Sequence, residues 1–147
     1  MTTLAVIPAR LGATRLPRKP LRELGGAPLV VRVLERVQSL GLADEVVVAT
    51  EAEEVAAIVR KAGGRAMITS DQHPSGTDRV AEVAMHPDFL RHDVIVNVQG
   101  DEPFMRGDAM AGSIAMVRDH GFDLGTAAGK RTAAIMGDPN CVKVVRA

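Results

Sequence analysis

Most of the chemistry in this 147-residue chain sits in three short stretches. The first runs from Arg10 to Arg22. It carries five cationic residues, Arg10, Arg15, Arg18, Lys19 and Arg22, and no acidic one. Pro8, Pro17 and Pro20 limit how far this stretch can wander, and Gly12 lets a ligand come close to the backbone. A stiff cationic loop suits a polyanion such as a triphosphate, with Arg groups making forked contacts and Lys19 acting as a point charge. The same charges would also serve a solvated turn that pairs with nearby carboxylates.

The second stretch, Gln99-Gly100-Asp101-Glu102-Pro103, leaves the end of an apolar run. Mg²⁺ typically takes one or two carboxylates, with phosphates and water completing its shell. Asp101, nearer the end of the run, is the candidate ligand, and Glu102 is a candidate acceptor for backbone amides. An acidic turn after a strand is the plainer alternative. The third stretch, His73 to Arg79, precedes a helical pattern. Ser75 and Asp78 have capping-box spacing, and Thr77 is an alternative N-cap. A capped helix start is also a fixed array of donors, able to read a base or ribose edge.

Other chemistries find no support. There is no G-x-x-x-x-G-K-[ST] and no G-x-G-x-x-G, so neither common phosphate-binding fingerprint applies. His73, His86, His92 and His120 lack metal-ligand spacing, and one cysteine cannot build a zinc site. No serine sits in a nucleophile elbow.

Short apolar runs alternating with amphipathic stretches must position these residues. Strands are expected at Leu4–Pro8, Glu45–Thr50, Ala66–Thr69, Asp93–Val98, Asp123–Ala127 and Cys141–Val145. Helices are expected around Leu29–Leu40, Val55–Ala62, Thr77–Met85 and Asp108–His120, with Thr50 and Glu53 as a capping box for the second. This alternation predicts a single α/β domain over residues 1–147, a largely parallel sheet with helices on both faces. In such sheets ligands sit beyond the carboxyl ends of the strands, where the basic loop and Asp101 fall.

Composition narrows the setting. Eighteen basic residues balance eighteen acidic ones, so no global field draws the chain to nucleic acid or an anionic membrane. With three Phe and no Tyr or Trp, the chain lacks the stacking platforms of single-strand binders. The single cysteine fits a reducing cytoplasm. The N-terminus lacks a secretory pattern, and no apolar stretch approaches the roughly 20 residues that span a bilayer.

VIPARLGATRLPRKPL, HPSGTDRVAEV, VIVNVQGDEPF and DPNCVKVV follow one another in this order. Together they resemble the 3-deoxy-manno-octulosonate (KDO) cytidylyltransferases over almost the whole chain. The resemblance implies a Rossmann-like nucleotidyltransferase fold. It also implies transfer of CMP from CTP to KDO with release of pyrophosphate, Mg²⁺ as cofactor, a role in lipopolysaccharide biosynthesis and a homodimer in the full-length family. By this resemblance Arg10 and Lys19 would hold the CTP phosphates with Arg15 nearby. Ser75, Gly76 and Thr77 would line the cytidine pocket, supported by Arg79. Gln99 would face nucleotide or sugar, and Asp101 would bind Mg²⁺. Lys19, Arg10 and Asp101 are thus the catalytic candidates.

Two positions depart from the family pattern: Arg18 replaces a usual Gly, and Asp78 a usual Glu. The pattern also continues well beyond Ala147. The chain is therefore expected to be a nucleotide-binding half, holding CTP with little or no turnover. The alternatives are a CMP-sialic acid synthetase-like enzyme, a non-catalytic nucleotide-binding module and a purely structural α/β fragment.

Overall fold

The computed structural model describes residues 1–12, 16–130, 133–139 and 141–144. In chain order the elements are β1 (Thr3–Pro8), β2 (Glu23–Leu24), β3 (Ala27–Pro28), α1 (Leu29–Leu40), β4 (Glu45–Thr50), α2 (Glu53–Lys61), β5 (Arg65–Ile68), α3 (Gly76–Ala84), β6 (Val94–Asn97) and α4 (Gly107–Arg118). Four strands form one parallel sheet in the order β5-β4-β1-β6. The chain moves outward from β1 through β4 to β5, then returns to place β6 on the other side of β1. The strand order therefore reverses between β1 and β6, and ligand crevices open at such a switch point.

Alternation along the strands divides the core in two. Ala5, Ile7 and Val48 face one way and pack with Val30, Val33, Leu34 and Val37 of α1, Val55 and Val59 of α2, and Met110 and Ile114 of α4. Leu4, Val6, Val47 and Ala49 face the other way, against Val80 and Val83 of α3 and the buried Phe89. The Val-rich β4 is buried on both faces, as its unbroken apolar run predicts. Helices on both faces of a parallel sheet give the expected α/β class.

The structure corrects several sequence expectations. Asp123–Ala127 forms no strand. Gly121 takes a left-handed φ of 71°, and the Phe122 amide donates to the Met116 carbonyl. The chain is thereby turned back against α4, where Gly125 sits so close to the Ser113 carbonyl that a Cβ would overlap it. Cys141–Val144 is also irregular, with Val142 fully open to solvent, and Val145 lies outside the described residues. Among the described residues β6 pairs only with β1. A groove of about 890 Å³ follows its other edge, walled by α4 and residues 123–127. The helix α2 is not capped by a Thr50–Glu53 box: its N-cap is Ala52, with no side-chain bond, and the Thr50 hydroxyl accepts from the Ala52 amide. Thr77 is not a cap either, because Ser75 takes that place.

Candidate nucleotide site

Three segments converge at the end of β1, and Pro8 is their meeting point. Beyond β1 the Ala9 amide donates to the Ala49 carbonyl at 2.8 Å, and beyond β6 the Val98 amide donates to the Val6 carbonyl at 2.9 Å. The ladders thus continue past the formal strand ends and hold both exits in register. Gly100 then crosses the backbone of β1 so closely that a Cβ would overlap the Pro8 carbonyl oxygen. Only glycine permits that crossing. From the other face, Gly76 at the start of α3 lies against the Pro8 ring, where a Cβ would stand 3.4 Å away.

The basic loop departs from the same point. Arg10 is exposed two residues beyond Pro8. Lys19 begins a short 3₁₀ turn, Lys19–Leu21, anchored by the buried Pro20 and by Leu21, which packs against the core beneath α1. A two-stranded hairpin follows, β2 with β3, turned by Gly25 and Gly26 at φ 59° and 82°. The Leu29 amide donates to the Arg22 carbonyl at 2.8 Å and fixes the hairpin to α1. These anchors aim Lys19 across the crevice, where its Nζ donates to Asp101 Oδ2 at 2.7 Å. Both side chains are well exposed, at 37% and 51%, so the pair contributes at most about 1 kcal/mol. A phosphate could take over Lys19, and a cation Asp101, at little loss.

Arg18 precedes that turn with φ 57°. This is the left-handed region, which favours glycine, the residue that the resemblance implies at this position. The guanidinium is ion-paired with Glu54 near the start of α2.

At the start of α3 the Ser75 hydroxyl accepts from the Asp78 amide at 3.2 Å and donates to the Asp78 carboxylate. With its cap satisfied in this way, α3 leaves its first N–H groups, those of Gly76 and Thr77, directed past the helix end. The preceding loop is tied down by Glu82, which accepts from the Ser70 amide at 3.0 Å and bonds the His73 ring. The His73 bond is the main reason the Glu82 carboxyl is held below its ordinary value.

The structure thus gathers Lys19, Asp101, Gly76 and Gly100 around one strand end. Arg10, Ser75, Thr77 and Gln99 lie exposed on the same three segments. Arg15 lies outside the described residues. Arg79 differs from the others: it is 2% exposed, and its guanidinium bonds the Thr69 hydroxyl and faces Glu51. It stands beneath the crevice rather than in its opening.

Sequence reasoning passed over Glu51. This carboxylate follows β4 directly, whereas Asp101 stands four residues beyond β6, and it accepts from the Leu11 amide at 2.8 Å. An acidic residue closing the strongest Val run was the signal available. For a divalent cation, Asp101 is an exposed hard oxygen donor, and the described residues hold no group of three or more His, Cys, Asp or Glu that could cage a metal. One carboxylate fits a cation that arrives with phosphates and keeps its water.

A sequence profile of the cytidylyltransferase family matches residues 4–146. A protein of Gemmatimonas aurantiaca described as 3-deoxy-manno-octulosonate cytidylyltransferase is 54% identical over 99% of this chain and 56% of its own length. One of Koribacter versatilis, described in the same words, is 42% identical over 97% of this chain and 53% of its own length. A solved CMP:2-keto-3-deoxy-manno-octonic acid synthetase, complexed with CTP, superposes with a TM-score of 0.74 at 39% identity. That match covers 81% of this chain and 48% of the solved one. A cytidylyltransferase from Leptospira borgpetersenii superposes with a TM-score of 0.66 at 26% identity, over 79% of this chain and 48% of its own. The chain spans about half the length of the curated relatives it matches. With a parallel sheet wound on both faces, a basic loop and an acidic strand end meeting at its switch point, and a family match over nearly its whole length, this chain belongs to the cytidylyltransferase family.

Proposed function

We propose that this chain supplies the CTP-binding part of an enzyme that transfers CMP from CTP to KDO and releases pyrophosphate. The product would be CMP-KDO, the activated sugar of lipopolysaccharide assembly, made in the cytoplasm where CTP is found. The observation that carries this reading is the apposition of Lys19 and Asp101 across the β1–β6 switch point. It is joined by the likeness to a solved synthetase described as complexed with CTP.

In this reading Arg10, Arg15 and Lys19 bind the triphosphate. Ser75, Gly76 and Thr77 present hydroxyl and amide donors to the cytidine, and Gln99 faces nucleotide or sugar. Arg79 holds the crevice floor. Asp101 would hold a Mg²⁺ brought with the nucleotide, which would screen phosphate charge during transfer. The anomeric hydroxyl oxygen of KDO attacks the α-phosphorus in line, and its proton passes to solvent. The bond from that phosphorus to the bridging oxygen of the β-phosphate breaks, and pyrophosphate leaves. No covalent enzyme intermediate is needed, so the protein's part is positioning and charge neutralisation. A homodimer is the proposed assembly of the longer relatives.

The test is a thermal melt with Mg²⁺ and CTP, compared with UTP, ATP and GTP. CTP at a hundred times its Kd adds about 2.7 kcal/mol to stability. A selective rise in Tm with CTP is expected. Equal shifts with all four nucleotides would remove the cytidine assignment, and no shift with any would remove the site.

A further inference from the structure

We propose that Glu51 is a positioning residue, one that sets the mouth of the basic loop for the triphosphate and is itself held by Arg79. The inference rests on the functional reading above and assigns a part to a residue outside the loop, the helix start and Asp101.

Glu51 stands at the carboxyl end of β4, between the basic loop and α3. Its Oε1 accepts from the Leu11 amide at 2.8 Å and lies 3.4 Å from the Gly12 amide. Those amides belong to the two residues that follow Arg10. A backbone amide bonded to a carboxylate is a charge-assisted contact, about twice as strong as a neutral one. It fixes where the loop leaves the sheet and hence where Arg10 begins.

The other oxygen, Oε2, is buried and accepts no hydrogen bond from the described residues. Arg79 Nη2 lies 3.4 Å from it, and its attraction is electrostatic rather than a formed bond. Arg79 is in turn anchored on the Thr69 hydroxyl at the end of β5. A continuous line therefore runs from β5 through α3 to the end of β4 and into the loop. With Glu51 side-chain exposure at 17% and Arg79 at 2%, water screens this line poorly. A purely structural ion pair would not need to end on the amides of a ligand loop. This one does, so the exit of the loop at Leu11 and Gly12 is fixed before the ligand arrives, which lowers the ordering cost of binding.

The test uses the whole 147-residue chain with Glu51→Gln and Glu51→Asp. Gln keeps an acceptor for Leu11 but turns an amide toward Arg79. Asp keeps the charge but withdraws the acceptor by one methylene. Calorimetric titration with Mg²⁺ and CTP, on samples whose melts show them folded, gives Kd. Amide exchange at Leu11 and Gly12 gives loop order. Both variants are expected to weaken CTP binding about tenfold, with faster exchange at Leu11 but unchanged exchange at Gly76. If either folded variant binds CTP within about twofold of wild type, even at a lower Tm, Glu51 serves stability alone and the inference fails. A wild-type chain that binds no CTP overturns the functional reading, and this inference with it.

Discussion

Lys19 and Asp101 neutralise each other at 2.7 Å in a solvent-exposed crevice. Because an exposed pair is worth at most about 1 kcal/mol, losing it should barely register in stability. Lys19→Met is therefore expected to keep its urea midpoint while losing the CTP-dependent rise in Tm. A parallel loss of midpoint would place Lys19 in the structural framework instead. Arg18 provides a second residue-scale case. Its φ of 57° costs an L-residue about 1–2 kcal/mol. Glycine relieves that strain but gives back about 0.5–1 kcal/mol in chain entropy, and it forfeits the exposed pair with Glu54. These terms nearly cancel, so Arg18→Gly should leave the denaturation free energy within about 0.5 kcal/mol of wild type. Arg18→Val, branched at Cβ, should lose at least about 1 kcal/mol in the same urea titration. The resemblance marked Arg18 as a departure, but sequence alone gave no sign of the backbone shape that makes it one. Lys19 and Asp101 were both legible as chemistry. Their contact was not, because it depends on how tightly Gly100 crosses Pro8.

At the scale of elements, α3 supports one side of the crevice. Its Ser75 cap was legible, since Ser and Asp three apart form a local motif that needs no tertiary partner. Ser75→Ala should cost about 1 kcal/mol, read as a lowered denaturation midpoint. Glu82 links this helix to the loop before it, and its carboxyl lies below the ordinary 4.5. Glu45, at the opposite end of the sheet, is also lowered. Burial pushes it up, but bonds from His92 and Arg65 outweigh burial. A carboxyl depressed on folding adds stability above its unfolded value, and that stability is lost as pH falls through the lower folded value. Tm should thus be flat from neutral pH down to about 5 and fall below about 4.5. Glu82→Gln should lower Tm at pH 7 and flatten that acid fall. A variant with an unchanged acid slope would show that Glu82 is not among the groups responsible. The helices were readable from their apolar periodicity, and the four sheet strands from short apolar runs. The β2–β3 hairpin was missed because two residues per strand leave no period to read, though Gly25-Gly26 is a known two-residue hairpin turn. Asp123–Ala127 read as a strand on composition, but Gly121 turns it onto α4.

Over the whole molecule, the winding of the sheet explains why distant sequence segments share one site. The reversal between β1 and β6 brings Arg10, Gly76 and Asp101 to one edge, although their segments are far apart in sequence. That convergence followed from the α/β pattern. The support from Glu51 and Arg79 did not, since a buried ion pair leaves no periodic trace. The other edge of β6 is unpaired among the described residues, and Leu124 beside it is 83% exposed. Such an edge promotes association. Sedimentation should show self-association that grows with concentration and is reduced by Leu124→Lys. A monomer at all concentrations would mean that this edge is adequately protected.

The basic loop, the start of α3 and the exit of β6 are proposed to form one nucleotide site. Titration of the isotopically labelled chain with Mg²⁺ and CTP, followed amide by amide in NMR spectra, tests it most directly. Arg10, Gly12, Lys19, Gly76, Thr77, Gln99 and Asp101 are expected to shift together along a single saturation curve. Shifts confined to the basic loop, or centred on the groove beside Leu124, would contradict it.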